Sequence, residues 1–191
     1  TEQPHSAVSE PQKPAVKLGG KPNDTERHAH DDITRVQGGI PAPLNYQPPG
    51  YTRYPKSICT SLKHVVCHVI PNDKPLKKGD ALNIDVTVIK DGWHGDTSRM
   101  YIAGTPSVLA NRLVDTTFEA MMCGIPAVRP AATLGDIGHA IQPHDEAAGF
   151  RVVKEHLGHS PGNVYPVTPT GPHSANHGTR GDAVQAGSNH R

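Results

Sequence analysis

Two aspartates, Asp85 and Asp96, stand in adjacent runs that could bring them to one place. Asp85 lies in ALNIDVTVIK (81–90), Asp96 lies in WHGDTSRMYI (93–102), and only Asp91-Gly92 separates the runs. Alternating runs flanking an Asp-Gly pair predict a β-hairpin with a two-residue turn. Lys90 then faces Trp93, Thr87 faces Asp96, and Asp85 faces Ser98. Side chains alternate along a strand, so Asp85, Thr87, Asp96 and Ser98 share one face. Diagonal neighbours in such a pair have Cα atoms about 7–8 Å apart. Both carboxylates can therefore lean toward one cation at about 2.0–2.2 Å per bond. Without a cation the two charges repel. A bulge near Gly95 would break this register. The competing reading is two solvated aspartates on an exposed sheet face. Against it, Asp85 sits in the otherwise apolar run NIDVTVI, and a buried carboxylate needs a partner.

Other elements must position this hairpin. Ser57–Leu62 alternates as a strand, and the β-branched run His64–Ile70 reads as extended until the turn cluster Pro71-Asn72-Asp73. A helix is expected from Pro106, capped by Thr105 and closed by Gly124. Leu109, Leu113, Thr117 and Ala120, flanked by Val114, Phe118 and Met121, make a wide stripe that predicts a well-buried helix. A second helix should start after Thr133, with Asp136 in the capping-box position, and end near Gly149 with Pro143 inside it. Phe150–Val153 returns to an extended pattern.

The chain has 191 residues, enough for one domain with its own core. The formal net charge of +1 gives no reason to expect a polyanion or a membrane surface as partner. Residues 1–33 hold no apolar run that could be a signal h-region, and no stretch is long enough to span a bilayer. Three cysteines without CxxC spacing fit reduced thiols in a cytoplasm. Cys67 and Cys123 are expected in the core. His28 and His30 are expected in solvent, and His139 and His144 on the surface. His64 and His68 are four apart, but in a strand-like run that spacing does not pair them on a metal. Residues 1–33 hold ten charged residues and four prolines with no persistent period, so disorder is expected. Residues 34–159 read as the folded part. Residues 160–191 contain no Leu, Ile, Met, Phe or Trp and read as a disordered tail.

Several segments together carry a resemblance: YPKSICTS (54–61), HVVCH (64–68), IPNDKPLKKGD (70–80), NIDVTVIKDGWHGDTSRM (83–100) and LGDIGHAIQ (134–142). In this order they resemble type I methionine aminopeptidase, from about Gly39 to His159, with both termini unlike the family. The resemblance implies a partial pita-bread (creatinase/aminopeptidase-like) α/β fold with an antiparallel hairpin, two helices and disordered ends. It implies divalent metal ions, two per site, with Co, Mn, Fe, Zn and Ni not distinguishable. Asp85 and Asp96 match the family's ligand aspartates, and His159 matches its ligand histidine. His68 matches the histidine that contacts substrate near the scissile bond. Tyr51, Tyr54 and Cys59 fall where the family lines its methionine pocket.

The implied reaction is hydrolysis of the bond after an N-terminal methionine. The implied substrates are nascent polypeptide N-termini, handled by a cytoplasmic monomer with no nucleic-acid or membrane partner. Two ions bridged by carboxylates would lower the pKa of a shared water, and His68 could hydrogen-bond the developing oxyanion. The family's glutamate ligands have no counterpart here, because no glutamate follows Glu155. Ser160-Pro161 follows His159 where the family continues with glycine, and Val69 replaces a glycine beside His68. The expectation is therefore a methionine aminopeptidase by family whose own turnover is absent or impaired. The alternatives are a non-catalytic truncated or frame-shifted remnant with weak metal binding, or another pita-bread peptidase such as a proline-specific one.

Overall fold

The alternation along 81–102 produces the central feature of the computed structural model, which describes residues 16–153, 157–159 and 170–172. In chain order the regular elements are α1 (Pro22–Asp31), β1 (Ile40–Pro41), β2 (Cys59–Leu62), β3 (Ala81–Lys90), β4 (Trp93–Ile102), α2 (Val108–Gly124), α3 (Leu134–Ala147), β5 (Leu157–His159) and β6 (Thr170–Pro172). A π-helical turn at Asp32–Val36 follows α1, and a 3-10 turn at Ile125–Ala127 follows α2. The chain divides into two compact units, Thr1–Ala110 and Asn111–Arg191.

In the first unit β3 and β4 pair antiparallel from Ala81 opposite Ile102 to Lys90 opposite Trp93. Gly95 stands opposite Val88, so the ladder runs unbroken where a bulge would have shifted the register. Asp91 and Gly92 have φ of 52° and 82°. Positive φ at both central residues is the type I′ geometry that favours Asp-Gly. β4 occupies one edge of β3 along its whole length. β2 and β1 share the other, with Cys59 opposite Asp85 and Ile40 opposite Ile89.

The period of two divides the sheet into an apolar and a polar face. Leu82, Ile84, Val86 and Val88 are each no more than 3% exposed and join Ala29, Ile33, Ile58, Leu76 and Ala103 in the core. At about 1.5–3 kcal/mol for each large apolar side chain, this burial is the main force holding the sheet.

Part of the segment expected to be disordered is helical. Pro22 takes a position in the first turn of α1, where its missing N–H costs nothing, and Asp24 suits the positive helix end. The buried side of α1 is Pro22, Thr25, Glu26 and Ala29, continued by Ile33 in the π-helical turn. This stripe has helical spacing but little hydrophobicity, so composition hid it. Residues 1–15 lie outside the described residues.

The run 64–70 is not a strand: it forms a turn and irregular backbone. Val65 N–H donates to the Leu62 carbonyl at 2.7 Å, which closes the turn at the end of β2. Phe150–Val153 is likewise not a strand.

The second unit holds most of α2 together with α3. α2 begins at Val108 rather than Pro106, with Ser107 rather than Thr105 capping it by accepting from Ala110 N–H at 3.1 Å. Nor is it well buried. Only Thr116, Ala120 and Gly124 are buried, whereas Leu109, Leu113, Phe118 and Met121 are 44–64% exposed. The stripe exists, but the described residues do not cover it. Gly124 comes so close to α3 that an added Cβ would lie 2.9 Å from Ile141 Cγ1 and Cδ1.

α3 starts as its sequence predicts. Thr133 Oγ1 accepts from Asp136 N–H at 3.2 Å, and the Asp136 carboxylate accepts from Thr133 N–H at 2.8 Å. The helix continues through Pro143 to Ala147. β5 and β6 pair antiparallel, His159 opposite Thr170. Part of the expected loose tail is thus a strand, and the remainder of 160–191 lies outside the described residues.

Candidate metal centre

The polar face of the sheet is built by the same register. Asp85, with Cys59 and Ser98 opposite it on the two flanking strands, and Thr87, with Asp96 opposite, lie on that face. Asp96 is 8% exposed, and the Thr87 hydroxyl donates to its Oδ1 at 2.8 Å. Asn83 and Ser98 extend the polar ladder through contacts of 2.8 and 3.0 Å. The two aspartates therefore share a face as the two-residue turn requires.

Two groups of the expected methionine pocket border this carboxylate pair. The Tyr54 hydroxyl lies 3.1 Å from the Ile58 carbonyl, 3.2 Å from Cys59 Sγ and 3.4 Å from the Val69 carbonyl. Burial pushes the Tyr54 phenol well above its ordinary range, and its contact with Cys59 and the negative fields of Asp85 and Glu26 add to the effect. Burial likewise pushes the Cys59 thiol up to about 11. The Tyr54 hydrogen bond opposes that rise, while Asp85 and Asp96 reinforce it. Both groups stay protonated at neutral pH, so they offer an uncharged wall beside two acids.

The remaining expected site residues stand differently. Tyr51 is 71% exposed, on a turn where its N–H donates to the Pro48 carbonyl. His68 is exposed and has φ of 60°, a left-handed conformation that non-glycine residues adopt rarely. Its neighbour Val69 is pinned to β2: Thr60 N–H donates to the Val69 carbonyl at 2.9 Å, and Val69 N–H donates to Ser61 Oγ at 3.3 Å. His159 lies on β5 in the second unit, and its side chain is outside the described residues.

The donor set fits a divalent metal as far as it is described. Two carboxylates on one face supply hard oxygen ligands of the kind such ions take. Among the described residues no group of three or more His, Cys, Asp or Glu converges.

Sequence reasoning missed several neighbours of the site. Cys67, expected in the core, is only half-buried, with its thiol raised by burial and by the nearby charge of Asp85. His30, expected in solvent, is half-buried, with Nδ1 2.7 Å from Ser57 Oγ. Glu26 accepts from Ser57 N–H at 3.1 Å, and Lys56 Nζ lies 3.4 Å from its other oxygen. These contacts tie α1 to the segment leading into β2. Pro22 with Asp24 was the available signal for the helix that carries them.

The antiparallel sheet, packed on one face and carrying paired carboxylates on the other, matches the pita-bread α/β fold of solved methionine aminopeptidases. The profile of metallopeptidase family M24 matches residues 10–189, and the chain belongs to that family. The match extends past both ends of the 39–159 block.

The chain is 52% identical over 153 residues to methionine aminopeptidase of Rickettsia prowazekii, covering 78% of this chain and 57% of that protein. It is 49% identical over 141 residues to methionine aminopeptidase A of Synechocystis sp., covering 73% of this chain and 54% of the relative. Its fold is similar to the crystal structure of methionine aminopeptidase from Rickettsia prowazekii, with a TM-score of 0.85 at 48% identity, covering 92% of this chain and 68% of that one. The chain thus spans a little over half the length of these two curated relatives.

Proposed function

We propose that this chain carries the metal-binding hairpin of a methionine aminopeptidase that acts on nascent polypeptide N-termini. The observation that carries this reading is the unbroken β3–β4 register, which sets Asp85 and Asp96 on one face with Thr87 donating to Asp96. The similarity to methionine aminopeptidases within metallopeptidase family M24 supports the reaction class.

Asp85 and Asp96 would hold a divalent cation, and His159 is the further ligand that the resemblance to methionine aminopeptidase implies. When bound, the ion supplies a low-pKa water at neutral pH and polarises the peptide carbonyl. Tyr54 and Cys59, uncharged and next to the carboxylates, form part of the wall for an apolar N-terminal side chain, and Tyr51 contributes at the rim. His68 donates a hydrogen bond to the oxygen on which charge develops.

The ligands this reading assigns within the 191 residues are Asp85, Asp96 and His159. This reading places it in the cytoplasm as a monomer. Among the described residues no helix is long and apolar enough to cross a membrane.

Titrating the purified chain with Mn(II) or Co(II), alongside Asp85→Asn and Asp96→Asn, tests the site. Either substitution should weaken binding by at least about tenfold; unchanged affinity in both would remove the proposed centre. Methionine release from Met-Ala-Ser with added metal is the activity readout: release that Asp85→Asn and Asp96→Asn both abolish supports the reading, and release that neither changes would overturn it.

A further inference from the structure

A second cluster of reactive groups lies in the other unit, outside the metal centre. Glu119 and Cys123 are one helical turn apart on α2, so they project from the same side of that helix. His144 of α3 reaches both. Its Nε2 is 3.1 Å from Glu119 Oε2, and its Nδ1 is 3.9 Å from Cys123 Sγ. The approach at Gly124, where there is no room for a Cβ against Ile141, lets the two helices come this close.

The Glu119 contact fixes the proton arrangement. A carboxylate only accepts, so Nε2 carries the hydrogen and Nδ1 of a neutral ring presents its lone pair to the thiol. A nucleophile, a base within reach and a carboxylate orienting that base are the parts of an assisted thiol. The two ring nitrogens face opposite partners, so the three groups cannot share one metal ion. Asp145 also bears on His144, and burial raises its carboxyl while His144 counters the rise.

Access separates this thiol from the other two. Cys123 is exposed, Cys67 is half-buried and Cys59 is buried. No oxyanion-stabilising group stands among the described contacts of Cys123, so acyl transfer is not supported. Thiol–disulfide exchange needs none: it requires a nucleophile, access and a route for the proton.

We propose that Cys123 is a thiol-modification site that exchanges with small acyclic disulfides, assisted by His144 and oriented by Glu119. Sγ attacks one sulfur of the reagent and its proton passes to His144 Nδ1. The reagent's S–S bond breaks as the new S–S bond forms. The departing thiolate then takes up a proton, which leaves one mixed disulfide and one free thiol. The reagent is itself the oxidant. This site does not depend on the metal centre being functional.

Glutathione disulfide and the full reduced chain provide the test, with adducts located by peptide mass spectrometry. Cys123 should be modified first. At neutral pH, His144→Gln should slow that modification by about tenfold or more. A simple thiol gains about tenfold in rate per pH unit below its pKa; the wild-type chain should show a shallower dependence, and H144Q should restore the steep one. Glu119→Gln should give a smaller loss, and Cys123→Ser should remove the fast adduct. Modification of Cys67 or Cys59 before Cys123 would overturn the proposal. So would an H144Q rate and pH profile matching wild type. The order of modification is read on the wild-type chain, so it stands even if a variant folds poorly.

Discussion

Asp96 shows how one side chain is made usable by the next. At 8% exposure its carboxylate has lost most of its water, and the Thr87 hydroxyl at 2.8 Å replaces part of that solvation while aiming one oxygen. Thr87→Val keeps the shape of the side chain and removes the donor. It should lower Mn(II) affinity by about 10-fold, measured by competition titration, with the far-ultraviolet spectrum unchanged. A variant that binds as tightly as wild type would show that the hydroxyl does not position the ligand. The acid pair could be read from sequence because alternation and an Asp-Gly turn fix which residues face each other. The Cys123–His144 contact could not, because α2 and α3 meet across nine residues of connection and no local period says how they meet. The thiol thus looked like an ordinary core cysteine.

At the scale of elements, local chemistry that is self-contained was readable. The β3–β4 turn needs two residues of positive φ, and the α3 start needs only Thr133 and Asp136. Gly92→Val, at φ of 82°, should destabilise the first unit by about 1–2 kcal/mol, seen as a lower urea midpoint. An unchanged midpoint would mean that the turn does not hold the hairpin together. Elements defined by what they pack against were harder to read. α1 hides Thr25, Glu26 and Ala29 instead of large apolar groups, so its composition looked like disorder. The α2 stripe was correctly periodic, but a period names a face without naming its cover. Leu109 at 64% and Phe118 at 59% exposure show the difference.

For the whole molecule, stability is concentrated in the sheet of the first unit. β3 is hydrogen-bonded on both edges, to β4 throughout and to β2 and β1 in turn. Its residues Leu82, Ile84, Val86 and Val88 are nearly inaccessible. Hydrogen exchange should therefore be slowest at amides of 82–88 among the described residues, and slower there than in α2, whose outer side is open. Faster exchange in β3 than in α2 would place the stable nucleus elsewhere. The unbroken pairing of ten residues against ten has a consequence for inheritance. Adding or removing a single codon within either arm between Asp85 and Asp96 would turn one acid into the packed interior and leave the other behind. Spelling along this stretch can drift, but its count cannot, so length polymorphism among descendants should gather at the tip or outside the arms.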